Sequence, residues 1–219
     1  VSLRLAIPSG AKSLHHFRLN EYQAGIAFEL SSCYFVLHFK HHSMPLRPPV
    51  SDHDHIQGKF FAAIELVEYG DYQCPHCGRA YPIVKKLQET FGNKLKFIFR
   101  NFPLAKIHPE AAIAAVATEA AARQEKFWEM HDIIFENQQD LSREALVKYA
   151  ERLRLDIEQF NYDLDDEMLY EKVDGDFETG IRSGVNATPT FFINGEKYNL
   201  GWEGNRLEEY IKSGVLGEQ

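Results

Sequence analysis

Cysteine is scarce in this chain: Cys33, Cys74 and Cys77 are the only three among 219 residues. Three are too few for a disulfide scaffold, and a close pair plus a single residue fits catalytic use better than a structural staple. Long apolar runs are also missing, for none approaches the roughly 18 residues that a membrane-spanning helix needs. Positive charge is outnumbered, with 24 Lys and Arg against 32 Asp and Glu and a net charge of -8. A nucleic-acid backbone, whose binding requires basic clusters, is therefore not the expected partner. Repeats and low-complexity tracts are absent. What remains is an ordinary globular composition, 44% hydrophobic and 26% charged. The length suffices for one domain with a sizeable core or a small domain carrying an insertion.

Periodicity is weak from Val1 to about Pro49, where His15, His16, His38, His41 and His42 gather and Pro45, Pro48 and Pro49 form a linker-like stretch. These histidines lack carboxylate or cysteine partners at helical spacing, so no metal site is expected. An export signal needs an uninterrupted apolar run before a small-residue cleavage site. Glu21 and Glu29 interrupt the candidate run, and the apolar Tyr34-Phe35-Val36-Leu37 follows the lipoprotein-like Leu30-Ser31-Ser32-Cys33 instead of preceding it. The expectation is thus a cytoplasmic rather than a periplasmic or exported protein. Residues 1–50 read as an irregular extension or leader outside the fold, with Met44 a candidate start and residues 1–43 loosely attached.

From Ile56 onward strand and helix alternate. Ala63-Ile64-Glu65-Leu66-Val67-Glu68-Tyr69 is rich in branched and aromatic residues and apolar on both faces, the character of a central strand covered on two sides. A helix opened by the cysteine motif follows, with Ala80, Val84, Leu87 and Phe91 at helical spacing and Gly92-Asn93 as its stop. Leu95 to Phe102 reads as a second strand, and this order predicts a right-handed crossover unit. Helix signals then dominate from Pro109 to about Gly184: Pro109 in a first turn, the alanine-rich Ala111 to Ala122, Ser142 as a cap, and the stripe Leu169, Val173, Phe177. That block is too long for one connecting helix and predicts an inserted all-helical subdomain. Thr190 to Ile193 and Lys197 to Leu200 flank Asn194-Gly195, a hairpin signal, and Leu207, Tyr210 and Ile211 mark a closing helix.

The chemistry sits in Cys74-Pro75-His76-Cys77. With Cys74 at the helix cap and Pro75 at the first helical position, where a missing N–H costs nothing, Cys77 falls one turn later, within disulfide reach. Unpaired amides and the positive end of the helix dipole face the Cys74 sulfur and favour its thiolate. A free thiol of pKa about 8.5 is only a few per cent ionised at neutral pH, and each pKa unit of depression reflects roughly 1.4 kcal/mol of thiolate stabilisation. A stabilised thiolate is also a good leaving group, so the disulfide becomes more oxidising. His76 adds to this if its imidazolium or N–H reaches the sulfur. The competing reading, half of a zinc site, fails for want of two more ligands, because no second C-x-x-C exists and His108 and His131 lack ligand spacing.

The strand–Cys-Pro-His-Cys–helix unit, taken with Val185 to Gly195 and its Thr188-Pro189, resembles the DsbA-like thiol–disulfide oxidoreductases of the thioredoxin superfamily over roughly Ser51 to Gly214. The resemblance implies an α/β, thioredoxin-like fold over 51–103 and 185–216. The helical insertion would span 104–184, its last helix packing on the thioredoxin sheet. It implies that Cys74 is the exposed nucleophile, Cys77 the buried resolving partner, and Pro75 and His76 the middle positions that tune redox potential. Thr188-Pro189 would form a cis-proline turn offering backbone hydrogen bonds to an extended substrate. Glu68, six residues before Cys74, stands where that family keeps a buried acid, and alternation puts it on the face of Ile64 and Leu66. There it would accept the Cys77 proton. Asp71 and Tyr72 read as turn and rim residues, and Trp128 as core of the inserted helices.

Thr188 before the proline is also found in isomerase-like relatives. The expected activity is disulfide exchange with protein or peptide thiols, the oxidase or isomerase direction favoured. A reductase of the same fold and a non-catalytic peptide-binding module are the alternatives. Kappa-class glutathione transferases share the fold but lack the second cysteine, so Cys77 counts against them. No cofactor is expected beyond the Cys74–Cys77 disulfide, and no metal. The expected partners are thiol or disulfide substrates and an unidentified recycling partner, with no nucleic acid and no membrane span.

Overall fold

A five-stranded sheet organises the molecule, which we describe from a computed structural model over residues 44–217. Strand β1 is His55–Gln57, β2 Ile64–Gly70, β3 Leu95–Asn101, β4 Thr190–Ile193 and β5 Glu196–Lys197, in the spatial order β1-β3-β2-β4-β5. β2 and β3 run parallel and are joined by helix α1, Pro75–Phe91; every other pairing is antiparallel. Between β3 and β4 lie α2 (Ala111–Ala122), α3 (Phe127–Glu136), α4 (Arg143–Arg152), α5 (Ile157–Asp163) and α6 (Glu167–Arg182). Helix α7, Arg206–Tyr210, runs on into a π-helical turn, Ile211–Val215.

Both faces of the sheet are covered, which is why β2 and β3 carry apolar residues at successive positions. Ile64, Leu66, Phe97, Phe99, Phe191 and Ile193 share the larger core with Val84 and Leu87 of α1 and the helices of the insertion. Val67, Tyr69, Ile98 and Phe192, one step out of phase, face a smaller core with Phe102 and Val185. Helix α6 covers this second face, where Phe177 stacks on Phe102 with ring centroids 4.3 Å apart. A Cβ on Gly180 would stand 2.6 Å from the Phe102 ring, so only glycine permits this approach. Ser142 caps α4 and accepts from Ala145 N, as its position predicts.

Three readings need correction. Residues 44–50 are not outside the fold. Leu46 is buried in the smaller core and its N–H donates to Gly195 O at 2.8 Å, while Pro45 bridges to Glu196. The proline-rich composition looks like a linker, but one leucine fills the sheet's second face. The hairpin turn at Asn194-Gly195 forms with both residues at positive φ, yet β5 ends at Lys197 and not Leu200. Tyr198 still donates its N–H to Phe191 O, but its side chain packs against Tyr210 and donates its hydroxyl to Gly201 O. Strand β1, too short to show a period, is additional. The histidine-rich segment, Cys33 and the leader reading for 1–43 lie outside the described residues.

Candidate functional site

Cys74 is the N-cap of α1, with extended backbone (φ -71°, ψ 121°), and Pro75 opens the first turn. Apolar Cys77, Ala80, Val84, Leu87 and Phe91 hold the helix against the sheet, and Gly92, at positive φ, ends it with its N–H on Gln88 O. The arrangement leaves the amides of His76 and Cys77 pointing at the Cys74 sulfur. Both cysteines are free thiols here; Cys77 is fully enclosed, and Cys74, expected to be exposed, is itself buried at 4% exposure, with Thr188 O 3.5 Å from its sulfur.

These surroundings split the two thiols apart. The Cys74 thiol is lowered from an ordinary 9.0 to about 5. The largest cause is the hydrogen bond from the Cys77 thiol; burial, next in size, opposes it, and Thr188 and then the Cys77 and His76 amides lower the value further. As a thiol, Cys74 donates to Thr188 O at 3.5 Å; once ionised it can only accept, and the partnerless Thr188 Oγ1 stands beside it. Burial pushes the Cys77 thiol well above its usual value, and the hydrogen bond to Cys74 and the Glu68 charge push it further. Asp71 N–H donates to Cys77 Sγ at 3.4 Å. A donor below and an ionisable sulfur above is the asymmetry an attacking and a resolving cysteine require.

Glu68 lies on the face of Leu66, as alternation along β2 predicts, 2% exposed and with Oε1 lacking any hydrogen-bond partner. Burial, and secondarily the Cys74 charge, raise its carboxyl to about 8. Thr188 and Pro189 stand opposite Cys74, and the peptide bond joining them is cis. With Cys74, Pro75, His76, Leu104, Ile107, His108, Ala187 and Trp202 they line a groove of about 590 Å³.

The exposed His76 departs from expectation. Its Nδ1 lies 2.8 Å from Arg79 Nη2, and because a guanidinium only donates, the ring nitrogen accepts there. What His76 offers the sulfur is its backbone amide. Asp71 and Tyr72 are not rim residues. Asp71 does make the turn, accepting from Gln73 N at 2.8 Å, but it is 1% exposed and also holds Leu104 N and His108 Nδ1 at 2.8 and 2.7 Å. Tyr72 is enclosed, its hydroxyl 2.9 Å from Nδ1 of the equally buried His131. Burial lowers the His131 imidazole to about 3, so the ring that pairs with Tyr72 is neutral. Trp128 packs with Phe97, Phe127 and His131.

The insertion also takes part in the site, through residues that no sequence pattern marks. Gln138, after α3, donates from Nε2 to both Tyr72 O and Cys74 O, at 2.7 and 3.0 Å. Gln73 ties the same loop to the start of α2 through Glu110 N. Both are long-range contacts with no local signature. Among the described residues no cluster of three or more His, Cys, Asp or Glu could hold a metal ion.

A family model described as Thioredoxin matches residues 51–213. The chain is 40% identical over 171 residues to the Na(+)/H(+) antiporter NhaA 1 of Mycolicibacterium vanbaalenii, covering 77% of this chain and 28% of that protein. It thus spans about a quarter of the length of the curated relatives it matches. Among solved structures it is similar to oxidised BdbD from Bacillus subtilis, 26% identical with a TM-score of 0.70, covering 80% of this chain and 98% of that one. It also shares the fold of the thiol-disulfide exchange protein alpha-DsbA2 from Wolbachia pipientis, at 21% identity and a TM-score of 0.64 over 73% and 86% of the two chains.

The cytoplasmic expectation is corrected by these relatives. Sodium–proton antiport takes place across a membrane, so these curated relatives carry the matching region in a membrane context. Among the described residues no helix is long and apolar enough to cross a membrane. The chain belongs to the thioredoxin family, as a DsbA-like protein disulfide oxidoreductase.

Proposed function

We propose that the chain exchanges disulfides with protein or peptide thiols through Cys74 and Cys77, in the oxidase or isomerase direction. The observation that carries this reading is the Cys74 thiol held at about 5 on the wall of an open groove while Cys77 is enclosed and held protonated. In the oxidised pair, a substrate thiolate attacks the Cys74 sulfur, the Cys74–Cys77 bond breaks, and Cys77 leaves with the electron pair. Its high proton affinity draws a proton from Glu68, the buried acid beside it. A second substrate thiolate then attacks the substrate sulfur of the mixed disulfide and expels Cys74 as a stable thiolate. Two electrons have passed from the substrate to the cysteine pair, and no cofactor is needed.

Glu68 is coupled to this cycle by charge. While Cys74 is ionised, its charge helps keep the Glu68 carboxyl protonated. In the mixed disulfide that charge is gone, the carboxyl ionises more readily, and it serves as base for the Cys77 thiol when the reaction runs in reverse. Thr188 and Pro189 offer backbone to an extended peptide, and the apolar Leu104, Ile107 and Trp202 suit its side chains. A separate redox partner re-oxidises the pair. The test is covalent trapping with a disulfide-containing peptide, whose bond the Cys74 thiolate attacks and whose second sulfur leaves as thiolate. Cys77→Ser accumulates a mixed disulfide on Cys74, whereas Cys74→Ser forms none and loses turnover. Equal turnover in wild type and Cys74→Ser overturns the proposal.

A further inference from the structure

His108 has no part in the exchange described above, yet it lines the same groove as Cys74. Its Nδ1 lies 2.7 Å from Oδ2 of Asp71, a carboxylate with no exposed side-chain surface. Asp71 only accepts at both oxygens: Oδ1 from Gln73 N, Oδ2 from Leu104 N and from the ring. Nδ1 of the ring therefore carries a proton, and in the neutral imidazole the lone pair is on Nε2. No other hydrogen bond to the ring is made by the described residues, and the ring's 16% exposure is to the groove. Asp71 also touches the resolving sulfur through its backbone N–H, so one residue spans Cys77 and His108. A buried carboxylate that orients an imidazole toward a reacting position is the arrangement used for proton transfer wherever a weak nucleophile must be activated.

We infer that His108, oriented by Asp71, is the general base and acid for the substrate sulfur. This rests on the thiol-exchange reading above. Cys74 does not need such help, for it ionises unaided. The incoming substrate thiol does. With pKa about 8.5 it is only a few per cent thiolate at neutral pH, so at most a rate gain of roughly 30-fold is available from removing its proton. In the step, the substrate S–H proton passes to His108 Nε2 as the substrate sulfur bonds Cys74 and the Cys74–Cys77 bond breaks toward Cys77. In reverse, the imidazolium returns the proton to the departing substrate thiolate. The titratable groups around the ring are Asp71 beneath it, Cys74 and His76 across the groove, Glu110 bonded to Gln73, and the exposed Lys106 on the same loop. Of these, only Asp71 is in contact with it.

The test uses the full chain carrying His108→Asn, whose amide N–H keeps the donor to Asp71 and whose lone base nitrogen is gone. Mixed-disulfide formation with the oxidised protein is timed at pH 7 for an alkyl thiol peptide and for an aryl thiol already ionised at that pH. The inference predicts a loss on the order of 10-fold for the alkyl thiol, under about 2-fold for the aryl thiol, and a gap that closes as pH rises past the alkyl thiol pKa. Equal losses for the two thiols, or none, overturn the role of His108. If the variant does not fold, the wild-type solvent deuterium isotope effect decides: present for the alkyl thiol and absent for the aryl thiol supports the role, and absent for both overturns it. Should wild type form no mixed disulfide with either thiol, the exchange reading itself falls.

Discussion

Replacing Cys77 with alanine is expected to raise the Cys74 pKa by a predictable amount. The Cys77 thiol is the first cause of the low value, about 5, and the His76 and Cys77 amides and Thr188 remain in the variant. A hydrogen bond to a charged group contributes about 1.5–3 kcal/mol, so its loss returns Cys74 to roughly 6–7. The wild-type value has a consequence for redox poise. A thiol depressed from 9.0 to about 5 stabilises the dithiol state fully above 9, and loses that stabilisation as pH falls through 5. At pH 7 half of the interval acts, about 1–2 kcal/mol after allowing for solvent screening at the groove, or roughly 20–40 mV toward a more oxidising couple. The assay is the pH dependence of thiolate ultraviolet absorbance, checked by iodoacetamide alkylation rates. A Cys77→Ala protein whose Cys74 still titrates at about 5 would refute the reasoning, because the amides alone would then hold the charge.

Other perturbations follow from the same environment. Glu68, raised to about 8, leaves the reduced protein fully stable below its ordinary 4.5 and progressively less so as pH rises through 8. Glu68→Gln is therefore expected to gain at least about 2 kcal/mol over wild type near pH 8.5 and little near pH 4.5 in denaturant unfolding. His131, lowered to about 3, binds its proton more readily when unfolded. Stability should fall as pH drops from 6.5 toward 3, and its imidazole resonances should show no titration near 6.5. Gly180→Ala, which would drive a methyl into the Phe102 ring, is expected to cost about 1–3 kcal/mol by thermal unfolding rather than bring the usual helix-propensity gain.

Period and spacing carried the part of this molecule that is local. Strand β2 declares itself by branched residues on both faces, and the same alternation assigns Glu68 to the side of the sheet that α1 covers. Helix α1 is written in Ala80, Val84, Leu87 and Phe91, and in the proline that follows the first cysteine. The unread part is held by contacts between distant residues. Asp71 looks like an ordinary turn residue until His108, 37 positions away, is folded onto it, and Tyr72 looks like rim until His131 comes in from 59 positions away. Gln138 clasps the cysteine loop from 64 positions beyond Cys74, and a lone glutamine has no pattern by which to be noticed. His76 is the converse case. Its motif position promises an interaction with the sulfur, but Arg79, one turn along the helix, takes the ring.

The central claim is that Cys74 and Cys77 form a reversible, oxidising couple, and equilibration against glutathione redox buffers with mass-spectrometric counting of the disulfide tests it most directly. The account predicts a two-electron transition at pH 7 with a midpoint well above the roughly -270 mV of a reducing thioredoxin, near the roughly -180 to -120 mV of isomerases and oxidases. A midpoint at or below the thioredoxin value, or a pair that never closes a disulfide across the range, would contradict it.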